Sequence, residues 1–125
     1  MSGRRYLFDS MVLIDHLNGH EPATAFMLAN ADHSAVSTIT RAEVMSGIED
    51  QEHTVVAALL DRFDLIVVDR DIADLAARLR RSHRWKLPDA LQAACALTTD
   101  RLLATRDEKA FSPRRHKFVK IPYRL

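Results

Sequence analysis

Four acids stand where apolar runs give way to polar sequence. Asp9 follows Tyr6-Leu7-Phe8, Glu43 lies one turn into a predicted helix, Asp89 follows Pro88, and Asp107 follows the run RLLAT that ends at Thr105. Carboxylates gathered at one place repel one another and resist joint ionisation unless a cation is present. An oxygen-only donor set suits Mg²⁺ or Mn²⁺. Such ions do phosphoryl chemistry: they polarise a phosphate, activate water and stabilise the leaving oxygen. Each acid also has a plainer use. Asp89 in a first helical turn suits the helix dipole, Glu43 suits a solvated helix face, and Asp107 suits a turn cap. Asp9 is the hardest to assign such a role, because it directly follows a buried strand. Asp69 also ends an apolar run, but Asp69 or Asp71 reads as the N-cap of the helix that follows. Asp15, inside the first helix, is left outside the set.

These acids meet only if the intervening elements deliver them to one edge. Arg4 to Phe8 reads as a strand and Ser10 to Leu17 as a short helix stopped by Asn18-Gly19. A helix over Glu21 to Asn30 has Pro22 in its first turn. Ser34 to Ser37 is a short strand, and Thr38 or Thr40 caps the helix that carries Glu43. Glu52 to Phe63 has a helical period, with Val55, Val56, Leu59, Leu60 and Phe63 on one face. Leu65 to Val68 is an all-apolar run that suits a parallel strand covered on both faces. Asp71 to Arg84 is amphipathic, Pro88 opens an alanine-rich helix, and Leu102 to Ala104 and Phe118 to Ile121 are further strands. Strands alternating with helices imply an α/β fold with a mostly parallel sheet and right-handed crossovers. In such sheets ligands bind at the carboxyl ends of the strands.

The 125 residues suggest one domain spanning 1–125, large enough to bury roughly two thirds of its unfolded surface. With 47% hydrophobic residues, 3 Gly and 4 Pro, the chain is expected to be globular. Its net charge of +1 does not announce a polyanion binder, so any such signal must be local. The single cysteine, Cys95, excludes an intrachain disulfide and reads as core filler. No apolar run approaches a membrane span, and a cytoplasmic protein is expected.

The segments FDSMVLIDHL, STITRAEVMSG, LPDALQAACAL and LLATRDEKAF, in that order and spread over nearly the whole chain, resemble a PIN-domain nuclease of the VapC toxin type. The resemblance implies a three-layer α/β/α sandwich around a mostly parallel five-stranded sheet. It places the acidic quartet of that family on Asp9, Glu43, Asp89 and Asp107, with the hydroxyls of Ser10 and Thr105 supporting the site. It further implies Mg²⁺- or Mn²⁺-dependent cleavage of RNA, homodimers, and inhibition by a cognate antitoxin. One position departs from the pattern. Met11 stands where the family usually carries a small polar residue, often Asn. A PIN scaffold that binds RNA or an antitoxin without cutting is therefore the alternative reading.

Local charge adds to this picture. Arg78, Arg80, Arg81, Arg84 and Lys86 run straight into Pro88-Asp89, and Arg114, Arg115, His116 and Lys117 form a second cluster. An acidic site needs nearby positive charge to attract a polyanion, so Arg80, Arg81, Arg84 and Lys86 are expected to bind RNA. The second cluster reads as a solvated tail. Trp85 and Tyr123 are better suited to packing than to base stacking. His16 and His20 have the spacing of a helical metal pair, but Asn18-Gly19 breaks the helix between them. A haloacid-dehalogenase phosphatase would need an acid at position 11, and a receiver domain would need an acidic pair after the first strand; neither is present.

Overall fold

The protein is described by a computed structural model over residues 5–125. Arg4, the predicted first residue of the first strand, lies outside the described residues. The elements run β1 (Tyr6–Phe8), α1 (Ser10–Leu17), α2 (Glu21–Ala29), β2 (Ala35–Ser37), α3 (Thr38–Ser46), a 3₁₀ turn (Asp50–Glu52), α4 (His53–Leu60), β3 (Asp64–Ile66), α5 (Arg70–His83), α6 (Leu87–Thr98), β4 (Leu102–Ala104) and β5 (Val119–Lys120). All five strands are parallel, in the order β3-β2-β1-β4-β5. The chain leaves β1 toward one edge and returns through β4 on the other side. The crevice at such a reversal of direction is where α/β sheets bind ligands.

The alternation of β1 divides the core. Tyr6 and Phe8 face Val12, Leu13, Met27, Val44, Val56 and Leu60 of α1 to α4. Leu7 faces the other way, onto Ile72, Ala76, Ala90, Ala93 and Ala94 of α5 and α6. Successive strand residues point to opposite faces, so one three-residue strand joins two apolar layers and the result is a three-layer sandwich. The alanines of α6 let that helix lie close on the sheet. Cys95 is buried there as a free thiol, and burial raises its pKa to about 11.

Three expectations need correction. Ser37, not Thr38 or Thr40, caps α3; its hydroxyl accepts from the Thr40 N–H at 3.0 Å. Leu65 to Val68 is not a strand covered on both faces. Only Asp64–Ile66 pairs, at the sheet edge, and Val67 is 59% exposed. An apolar β-branched run reports strand preference but not the number of neighbours. Val55 does not face inward but is 73% exposed. The inward stripe of the helix falls on Val56 and Leu60, one turn apart, and Val55 lies off it. Asp69 caps α5, accepting from the Ile72 N–H at 2.9 Å, which resolves the choice between Asp69 and Asp71. Among the described residues no helix is long and apolar enough to cross a membrane.

Candidate active site

Because the strands are parallel, their carboxyl ends share one rim, and Asp9, Ser37 and Thr105 are the residues that immediately follow or end β1, β2 and β4. Asp9 is only 9% exposed. Its main-chain N–H donates to the Ala104 carbonyl at 3.0 Å, holding the end of β1 against β4. The carboxylate accepts from the Thr105 hydroxyl at 2.8 Å on one oxygen. The other oxygen accepts from the Ser10 N–H at 2.9 Å and the Gln92 amide at 3.3 Å. Thr105 therefore bonds to Asp9 through its hydroxyl, whereas Ser10 does so through its main chain.

Among the described residues, none of the donors to Asp9 is a cation. Burial pushes its pKa up, and the charge of Glu43 adds to the rise; the hydrogen bonds from Thr105, Ser10 and Gln92 pull it back in part. Asp89, half-buried in the first turn of α6, shows the same conflict. Its pKa is raised to about 6, first by burial and then by the charges of Asp9, Asp107 and Glu43, while Lys86 opposes the shift. Asp107 accepts from the Ala110 N–H at 3.1 Å, and its own N–H donates to the Thr105 hydroxyl at 3.1 Å. Glu43 is exposed on α3. Glu43 is thus close enough to raise the pKa of Asp9, and Asp9, Asp107 and Glu43 that of Asp89. Among the described residues, no three of the acidic, His or Cys side chains converge tightly enough to chelate an ion as they stand. The donor set is nevertheless all carboxylate, the chemistry that hard divalent cations prefer.

A residue missing from the sequence-based set is Gln92, 2% exposed and one turn after Asp89. Its amide donates to the Thr40 hydroxyl at 2.6 Å as well as to Asp9, and its carbonyl accepts from the Ser37 hydroxyl at 2.8 Å. The Thr40 hydroxyl donates in turn to the Phe8 carbonyl at 3.4 Å. This circuit ties the ends of β1 and β2 to α6, and satisfies every polar atom of a buried amide. The signal was present in the sequence: a lone amide in the alanine-rich helix, on the face that carries Asp89.

Asp89 and Asp107 open onto a cleft of about 950 Å³, whose walls include Arg84, Lys86, Lys109 and Arg115. Arg80 and Arg81 lie on the exposed last turn of α5 and do not line it. Arg115, from the cluster read as a solvated tail, does. Met11 lines a smaller adjoining pocket of about 470 Å³ together with Asp107. Trp85 packs, as expected, against Phe111 and donates from its indole N–H to the Ala110 carbonyl at 2.9 Å. Tyr123 donates to Asp15 at 2.8 Å. His16 bonds to Thr24 at 2.7 Å, and between His16 and His20 the chain turns at Gly19 with φ of 85°.

The fold and this rim define a class: a parallel α/β sandwich that presents a cluster of uncompensated carboxylates at the carboxyl ends of its strands. Residues 6–115 match the PIN domain family, and the chain belongs to it. It is 32% identical over 114 residues to Ribonuclease VapC19 of Mycobacterium tuberculosis, an alignment covering 84% of this chain and 90% of that one. It also resembles a chain of a toxin-antitoxin complex from Klebsiella pneumoniae, with a TM-score of 0.90 and 33% identity over 96% of this chain and 99% of the other. FitAcB from Neisseria gonorrhoeae, at 22% identity and a TM-score of 0.78 over 96% and 99% of the two chains, shares the fold.

Proposed function

We infer that this chain, as a single PIN domain, is a toxin endoribonuclease of the VapC type that hydrolyses RNA phosphodiester bonds. The observation that carries this reading is the rim itself. A half-buried Asp89 lines a cleft with basic residues, and the buried Asp9 lies close enough for its charge to raise the Asp89 pKa; among the described residues neither is paired with a cation of the protein. Asp9, Glu43, Asp89 and Asp107 are the residues that would hold Mg²⁺ or Mn²⁺. When bound, the ion supplies polarisation of the phosphate and activation of water.

The protein's own contribution is positioning. Thr105, Ser10 and Gln92 fix the Asp9 carboxylate with uncharged donors, so its position is set while its charge stays available. Arg84, Lys86 and Arg115 supply the positive charge that draws a polyanion to an acidic rim. Arg80 and Arg81 extend that field from outside the cleft. An unpaired RNA strand suits the open cleft, since its backbone can follow the basic wall. The similarity to a chain of a toxin-antitoxin complex supports a cognate antitoxin as partner. We assign the working form as a cytoplasmic homodimer.

Met11 favours the second reading, a scaffold that binds RNA or an antitoxin without cutting, because it lines a pocket shared with Asp107 and brings no polar group to it. Induced expression in a bacterial host, with mapping of new RNA ends, separates the two. The wild type should produce discrete cuts and arrest growth, and Asp9→Asn should do neither. Purified protein that binds RNA but leaves it whole in Mn²⁺ would establish the scaffold instead.

A further inference from the structure

The cleft beside Asp89 and Asp107 has an aromatic wall that the acidic rim does not use. α5 ends at Arg84, which takes the left-handed conformation (φ 57°, ψ 32°) and donates its N–H to the Arg80 carbonyl at 2.8 Å. That reversal folds the residues on either side of it face to face. The His83 and Trp85 rings stack, 4.3 Å apart between centroids and 19° from parallel. Trp85 is buried, whereas His83 is exposed, and both line the cleft. His116 lies 5.1 Å from His83 and 5.2 Å from Trp85. A ring on top of the stack would be about twice as far from Trp85 as from His83, so these nearly equal distances put His116 at the side. Neither ring covers the face of His83 that points away from Trp85.

A flat, exposed ring fixed from behind by a buried indole, in a cleft shared with Arg84 and Arg115, has the parts of a stacking platform for single-stranded nucleic acid: a π-face for a base and cations for the flanking phosphates. The geometry points to His83 as a base-stacking subsite that seats one unpaired nucleobase of the RNA next to the acidic rim. This rests on the ribonuclease reading. Stacking tolerates any base but favours the larger π-face of a purine, so the subsite fixes where the strand lies more than which sequence it has. It also excludes paired RNA from this part of the cleft, because a base in a duplex is already stacked on both sides.

The test uses the full chain carrying Asp9→Asn, which prevents cutting, with short oligoadenylate and with an abasic strand of the same length. Without further change, oligoadenylate should bind more tightly than the abasic strand. His83→Ala should remove that preference, lowering oligoadenylate affinity by roughly ten- to a hundredfold while leaving abasic binding and its salt dependence in place. His83→Phe, which keeps a π-face but no charge or ring nitrogen, should restore the preference. If His83→Ala binds both strands as its parent does, while the protein with Asp9 intact still cuts RNA, the platform is refuted and the ribonuclease reading stands. If His83→Phe behaves like His83→Ala, the side chain acts through charge or hydrogen bonding, and stacking is again refuted. A wild type that neither binds nor cuts RNA would overturn both.

Discussion

Two buried aspartates at the two ends of α1 meet opposite fates. Asp15 is 3% exposed and Asp9 is 9% exposed. Asp15 accepts a two-pronged ion pair from Arg106, at 2.6 and 3.0 Å, and the Tyr123 hydroxyl at 2.8 Å. Burial acts to raise the pKa of Asp15, but the Arg106 and Tyr123 hydrogen bonds and the Arg106 charge together bring it below the usual carboxylate value. Among the described residues Asp9 receives only neutral donors, and it moves the other way. The same loop after β4 serves both: Thr105 bonds to Asp9, Arg106 to Asp15, and Asp107 joins the rim. Burial alone therefore does not decide which way a carboxylate's pKa moves. What separates the two is whether the fold supplies its own cation. Asp15 has one and is part of the architecture; Asp9 is held firmly with its charge uncompensated.

The sharpest way to break this contrast is to neutralise each acid in turn. Asp9→Asn and Asp89→Asn should each lower RNA cleavage by two or more orders of magnitude with the fold retained, read by single-turnover cleavage and by circular dichroism. Asp15→Asn should leave cleavage by the folded fraction nearly intact but cost about 2–3 kcal/mol of stability. It leaves the Arg106 guanidinium without its counter-charge, and the cost sits below that of a fully buried pair because the Arg106 side chain is 31% exposed. Loss of cleavage at 15 matching that at 89 would mean that both aspartates belong to one site.

Metal should affect the two regions just as unequally. A divalent ion that binds only the folded rim adds about 2.7 kcal/mol at a hundredfold excess over Kd. Melting of the wild type should therefore rise by on the order of 10 °C in Mn²⁺. Asp15→Asn should keep this response from its lower starting point, and Asp89→Asn should lose most of it. A wild type indifferent to millimolar Mn²⁺ would remove the ion from the rim.

The pH dependence of stability, measured in chelator, separates the regions by sign. The folded pKa of Asp15 is depressed, so its contribution is complete above the ordinary value near 3.8 and disappears as pH falls through the folded value. That of Asp89 is raised to about 6, so stability is lost as pH climbs from 3.8 toward 6, where the unfolded chain ionises first. Allowing for its partial exposure, Asp89→Asn should recover about 1–2 kcal/mol above pH 6 and nothing at pH 3. Destabilisation at both pH values would make Asp89 a structural partner like Asp15. The smallest effect belongs to a third aspartate after an apolar run. Asp69→Asn should cost about 0.5 kcal/mol or less and leave cleavage unchanged, because Asn also caps helices well.

The types and order of the elements were legible because they rest on local chemistry. Ser10 to Leu17 forms a helix over that span, and Asn18-Gly19 ends it, since the turn takes a positive φ at a residue without a Cβ. Asp9, Glu43, Asp89 and Asp107 could be named as a set because each stands in a recognisable segment, and parallel strands bring such ends to one rim. Other features depend on neighbours distant in the chain. Val67 is apolar whether its strand lies at the centre or the edge of the sheet; strand order decided the edge. Asp15 and Asp9 look alike in sequence, and only the packing of the loop after β4 on α1 gave one a guanidinium 91 residues away and the other a hydroxyl 96 residues away. Gln92 stood out by type, but its partners Asp9 and the pair Ser37 and Thr40 come from two segments far from it in the chain. Arg80 and Arg84 are equally basic in the sequence, yet the left-handed turn at Arg84 sends one into the cleft wall and leaves the other in solvent. Local propensity is set by each residue and its near neighbours, so the sequence carries it directly. Ionisation, burial and access are set by what the folded chain places within a few ångströms, and that was decided by the tertiary structure.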